Sequence, residues 1–156
     1  MTTNEFKIWI DNDACPKRIR ELIFKAAKRL DISVNIVANS YMHPPAGVKA
    51  NVITVSGAFD AADNYIAENV EEGDLVITAD VPLADRVVQQ KATALSPRGK
   101  LFDSHSIKEH LALRNLRNEL LGAGTVQGGP PEFDTRDVNK FAQAFDKIVT
   151  ARTKSR

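Results

Sequence analysis

Five aspartates stand shortly after apolar runs, and their placement is the first chemical signal in this chain. Asp11 and Asp13 follow Phe6 to Ile10, Asp60 and Asp63 follow "NVITV", and Asp80 follows "LVIT". Carboxylates gathered at the ends of neighbouring strands repel one another and raise each other's pKa values unless a cation sits among them. Hard oxygen donors favour Mg²⁺ or Mn²⁺ over zinc. Such an ion polarises a phosphodiester and activates a water for in-line attack, so hydrolysis of a phosphate ester is the leading chemistry. Local explanations compete with this one. Asp13, Asp60 and Asp80 each stand where a helix cap would stand, and an exposed helix start tolerates Asp63. Taken singly they suffice, but they leave unexplained why carboxylates recur at the same ends of the strands.

The elements that would carry these residues are legible from periodicity. Residues 6–10, 33–39, 51–55, 75–78 and 92–95 read as short buried strands. After the first, Ile19, Leu22, Ile23, Ala26, Ala27 and Leu30 form a helical stripe, with Pro16 at the first helical position. Ala62, Tyr65, Ile66 and Val70 mark a second helix that Gly73 ends, and Asp80 with Pro82 opens a third through Gln90. Strands alternating with helices on short connections predict a parallel sheet covered on both faces, a three-layer α/β/α domain. In such a sheet the ligand crevice lies outside the carboxyl ends of the strands, where the aspartates are.

Beyond "SPRGKLF" the character changes. Ser106 and Glu109 form a capping box before a helix that stops at Gly122, residues 122–133 are a Gly/Pro-rich connection, and a last helix starts near Asp134. The 156 residues predict a single domain, with a basic tail over 151–156 expected to fray. No apolar run approaches membrane-spanning length, and Met1 to Glu5 is polar, so the expectation is a cytoplasmic protein without a membrane partner. A single cysteine rules out an internal disulfide. Residues 1–95 hold 10 Lys and Arg against 13 Asp and Glu, whereas residues 96–156 hold 11 against 7. That acidic front and basic back suit a metal site beside a phosphate-bearing ligand. Arg98, Lys100, Arg114 and Arg117 are the candidate phosphate contacts.

Other constellations carry less. Cys15 lacks the arginine of a Cys-x₅-Arg phosphatase loop, since Glu21 holds that position, and no second cysteine pairs with it. "GAGTVQG" has neither the spacing nor the preceding strand of a dinucleotide loop. His43, His105 and His110 lack zinc spacing and read as surface residues.

In order along the chain, "IDNDACP", "SGAFDAAD", "GDLVITADVPLA", "ATALSPRG" and "GGPPEFDTRDVNKF" resemble the YaiI/YqxD family of bacterial proteins. The likeness spans about residues 7 to 147. That family is regarded as related to PIN-like nucleases, which implies a PIN-like fold with a central, mostly parallel sheet, C-terminal helices, and strand-end carboxylates binding Mg²⁺ or Mn²⁺. Carried over, Asp11 looks like the first-strand aspartate, Asp60 or Asp63 the acid after the third strand, and Asp80 the acid after "VIT". The sequence departs from the PIN pattern in lacking a clear fourth acid after the fifth strand, where "SPRG" stands and Asp103 comes late.

The resulting expectation is a metal-dependent nuclease acting on nucleic acid, RNA in the first place. Asp11, Asp13, Asp60, Asp63 and Asp80 are the metal ligands, and Asp11 and Asp80 are catalytic. Arg98 and Lys100 hold flanking phosphates, and Thr78 or Asn39 orients the ligands. Two alternatives stand beside it. The Asp-x-Asp of "DNDAC" resembles haloacid-dehalogenase phosphatases, in which the first aspartate is a nucleophile, so a small-molecule phosphohydrolase is the first. The second is a non-catalytic RNA- or protein-binding module that keeps the acidic pocket.

Overall fold

Successive side chains of a strand point to opposite faces, and here both sets are apolar, so the sheet must be covered twice. The computed structural model describes residues 6–57, 60–103, 107–109, 112, 113, 116 and 133–154. Its strands β1 (Lys7–Asp11), β2 (Ser33–Ala38), β3 (Ala50–Thr54), β4 (Leu75–Ile77), β5 (Thr93–Leu95) and β6 (Leu101–Phe102) form one sheet in the order β3-β2-β1-β4-β5-β6. The first five strands are parallel, and β6 pairs antiparallel with β5.

Ile8, Ile10, Ile36, Leu75, Ile77 and Leu95 face a core closed by α1 (Lys17–Leu30) and by α4 (Thr135–Lys154), which contributes Phe141, Phe145 and Val149. Trp9, Val37, Val76 and Ala94 face the other core, closed by α2 (Ala61–Asn69) and α3 (Val81–Gln89) through Ile66, Leu83 and Val87. The architecture is three-layer α/β/α, as the strand and helix periods predict. No helix among the described residues is long and apolar enough to cross a membrane.

Strand ends shift by at most one residue from the sequence expectation, and the larger differences are these. Pro16 is the residue before α1 rather than its first position; its fixed φ of −61° and ψ of 147° lead the chain into the helix. Residues 12–14 form a single 3-10 turn between β1 and that point. α2 ends at Asn69, before Gly73, whose φ of +89° serves the turn into β4 instead. β6 was not expected, because a two-residue strand leaves no periodic signal; Gly99, at φ +87°, allows the turn that creates it. The tail expected to fray from 151 is helical through Lys154, because Arg152 donates to the Gly73 carbonyl and to Thr93 Oγ1 at 2.7 Å and lies over the Phe6 ring. Residues 107–109, 112, 113 and 116 are helical, as the capping box predicts, with Ile107 in the second core.

From β1 the chain builds outward through β2 to β3, then returns to build β4, β5 and β6 on the other side. The order therefore reverses between β1 and β4. The connections that leave those two strands diverge to opposite sides, and that reversal point is where open α/β sheets have their crevice.

Candidate functional site

Asp11 is the last residue of β1, and the chain leaves β4 through Thr78 and Asp80, so the reversal point itself brings these residues together. The Thr78 hydroxyl donates to Asp11 Oδ2 at 3.0 Å and accepts from the Asp80 backbone N–H at 3.0 Å. Asp80 in turn caps α3, its Oδ1 accepting from the Leu83 N–H at 3.0 Å, with Pro82 in the first turn. One threonine thus holds the Asp11 carboxylate and the Asp80 main chain. Asp80 is at once a helix cap and a member of the acidic group, so its local and functional readings do not exclude each other.

Asp13 lies in the 3-10 turn, one residue beyond Asn12, and does not cap α1. Its Oδ2 accepts from the backbone N–H of Asn39 at 3.0 Å, which ties the end of β2 to the turn after β1. Asn39 acts here through its main chain, while its side chain is exposed. Asp63, in the first turn of α2, reaches the group from the other layer and is hydrogen-bonded to Asp80.

The electrostatics follow from this crowding. Burial pushes the Asp11 carboxyl above its usual range, the Thr78 bond opposes this, and the charges of Asp80 and Asp13 add to it. Asp63 is pushed up to about 6, first by burial, then by Asp80 and Asp11 and by its bond to Asp80, with Arg86 pulling the other way. Arg86 is the cation of this site, and its Nη1 also donates to Asn64 Oδ1 at 2.8 Å. The sequence did not single it out, since six residues after Asp80 it reads as one more charge on an exposed helix. Asn12 was missed too: its side-chain oxygen is buried without a hydrogen-bond donor among the described residues.

Four of the five predicted acids therefore interact, and the fifth does not join them. Asp60 is exposed at the start of α2, makes no capping bond, and is not among the charges acting on Asp11 or Asp63. The predicted phosphate contacts also change. Arg98 Nη1 is 2.9 Å from Asp137 Oδ2, and its guanidinium lies over the Phe133 ring at 5.6 Å, so "SPRG" and "EFDTRD" clasp α4 to the turn after β5. Gly99 is the close-approach point of that clasp, since a Cβ there would stand 2.6 Å from the Lys140 carbonyl carbon. Lys100 is exposed on the same turn, which Ser96 Oγ closes by accepting from the backbone N–H groups of Arg98 and Lys100. Arg114 and Arg117 lie outside the described residues, as do His105 and His110. Cys15 is buried, and its thiol is pushed up to about 12, which makes it a core residue rather than a nucleophile.

The donor set suits a hard cation: carboxylate oxygens, two of them on groups that burial and then neighbouring like charges disfavour as anions, with an orphaned amide oxygen on the same turn. Among the described residues, however, no three His, Cys, Asp or Glu side chains are arranged to grip an ion as they stand.

Residues 9–151 match the family described as uncharacterised YaiI/YqxD. A UPF0178 protein of Maridesulfovibrio salexigens is 47% identical over 144 residues, 92% of this chain and 95% of its own length. That of Xanthomonas campestris pv. campestris is 48% identical over 147 residues, 94% and 92% of the two chains. That of Geobacter sulfurreducens is 46% identical over 144 residues, 92% and 95%. No solved structure matches the chain.

Proposed function

We propose that this chain, which belongs to the uncharacterised YaiI/YqxD family, is a nuclease that hydrolyses phosphodiesters of nucleic acid, RNA in the first place, with Mg²⁺ or Mn²⁺ at the β1–β4 crevice. One observation carries the reading: four carboxyl groups from four successive parts of the chain, β1, the turn after it, α2 and the cap of α3, act on one another at the reversal point of the sheet, and burial and then this crowding disfavour two of them as anions. A divalent ion, once bound, supplies the charge neutralisation and the acidified water that phosphodiester hydrolysis needs. Asp11, Asp13, Asp63 and Asp80 would hold it. Thr78 fixes the Asp11 oxygen, the α3 start fixes the Asp80 oxygen, and Asn39 N–H fixes Asp13. Arg86, already beside Asp63, supplies a positive charge for a phosphate oxygen.

The absence of a ready-made three-ligand grip among the described residues favours the second reading, a binding module of the same fold without turnover. The phosphohydrolase alternative is the weaker one. It needs Asp11 as an accessible nucleophile, and that carboxylate is buried with one oxygen held by Thr78.

Calorimetric titration of Mn²⁺ into metal-stripped protein, with Asp11→Asn in parallel, separates these readings. Saturable binding that Asp11→Asn loses, together with Mn²⁺-dependent cleavage of an RNA pool, is the expected result. Asp80→Asn should abolish that cleavage and leave the fold intact, because asparagine also caps helices. An Asp80→Asn protein that cut as fast as wild type would sink the nuclease, and RNA binding without turnover in Mn²⁺ would establish the module.

A further inference from the structure

A second concavity lies away from the acidic crevice, between α4 and the β5–β6 edge of the sheet. It encloses about 730 Å³. Leu101, Ala144 and Ile148 give it apolar walls, and Lys140, Lys147 and Arg152 line it with positive charge. No acidic side chain lines it among the described residues. The asymmetry comes from how α4 distributes its charges. Asp137 is turned to Arg98 and Asp146 to Arg29, while Lys140 and Lys147, seven residues apart and so on one helix face, are left to the groove. Both lysines are exposed, and neither has a carboxylate partner among the described residues. At one end the groove reaches Gly99, in the turn that follows β5, so it opens on the edge of the sheet that carries the aspartates.

We propose that this groove is a binding lane for the sugar-phosphate backbone of single-stranded nucleic acid. The substrate class rests on the nuclease reading, but the lane is a separate site and binds without metal. The charge pattern selects a polyanion, because an uncharged or acidic-residue-poor partner would leave the two lysines without counter-charge. Lys140 and Lys147 stand about 10 Å apart along the helix axis, far enough for their ammonium groups to meet different phosphates of one strand. The cleft has the volume of a small-ligand site, which matches a short stretch of one strand. Among the described residues no aromatic side chain lines it for bases to stack on, so binding is driven by phosphates and tolerant of sequence. Arg98, held by Asp137, leaves the phosphate contacts to these lysines.

The test is fluorescence anisotropy of a labelled uridine 12-mer in EDTA over a salt series, with wild type, Lys140→Ala/Lys147→Ala and a charge-matched control, Lys25→Ala/Lys108→Ala, whose lysines are exposed outside the groove. Arg152 is left intact because it anchors the end of α4. The groove variant is expected to bind about tenfold more weakly at low salt, with the slope of log K against log salt reduced by about 1.4, the share of two phosphate contacts on a single strand. The control should match wild type. Equal losses in the two variants, an unchanged groove variant, or a wild type with no salt-dependent binding would each overturn the lane. A wild type that binds through the two lysines yet leaves the strand uncut in Mn²⁺ would keep the lane and remove the nuclease.

Discussion

The two ends of the central strand pair each bury an aspartate, and they treat it in opposite ways. At the amino end, Asp74 precedes β4 and is 1% exposed. Its Oδ1 accepts from the Lys7 N–H at 3.0 Å and its Oδ2 from Trp9 Nε1 and the Glu71 N–H, each at 3.0 Å, with the Lys7 ammonium 3.6 Å away. Arg152 adds a second positive charge nearby. At the carboxyl end, Asp11 is 7% exposed and has one hydroxyl donor and two acidic neighbours. Burial costs a carboxylate its hydration in both places, but only the amino end restores it with donors and cations. One aspartate holds strands together; the other is kept with fewer compensating contacts, a difference that the proposed metal site would explain.

The largest way to break this comparison is Asp74→Ala. It leaves the buried Trp9 Nε1, two partly buried backbone N–H groups and the Lys7 ammonium without their acceptor and should lower stability by about 3–5 kcal/mol, read as the shift of the urea midpoint. A loss under about 1 kcal/mol would mean that the amino end is no better satisfied than the carboxyl end. Thr78→Val is next. It removes the donor to Asp11 and the acceptor of the Asp80 N–H, so stability should fall by about 1–2 kcal/mol and Mn²⁺ affinity about tenfold. Unchanged Mn²⁺ affinity would show that the threonine serves the fold only.

The smallest effect is a pH dependence. Asp63 is raised from 3.8 to about 6, so between those values the native chain keeps a proton that the unfolded chain has released. Stability of the metal-stripped protein from this group is therefore full below about pH 4 and falls as pH rises through about 6. Asp63→Asn should raise the melting temperature at pH 8 and change it little at pH 4. A uniform shift at both pH values would show that the acids at this end do not feel one another.

The strands and the α1 stripe were readable because a short continuous apolar run and the 3.6-residue period are both local patterns. The same holds for the carboxylates at strand ends, since a residue just after a strand must emerge at its carboxyl edge. Asp60 was not separable from Asp63 in this way. Both stand at the start of α2, and only the angle at which that helix meets β1 and β4 decides which one reaches Asp80. Arg98 misled for a related reason. Its position after β5 placed it at the right edge, but Asp137, 39 residues later, claims it.

By itself the sequence determined the short apolar strands, the helical stripes, the helix cap at Asp80 and the edge on which the aspartates emerge, because each depends on neighbours a few residues away. Only the tertiary structure decided that β1 and β4 lie side by side, and hence that Thr78 meets Asp11, that Arg86 stands among the acids, and that α4 closes on the 96–100 turn to form a cationic groove. Those are contacts between residues far apart in the chain. No local period encodes them, since they are set by which apolar faces pack together once the sheet has formed.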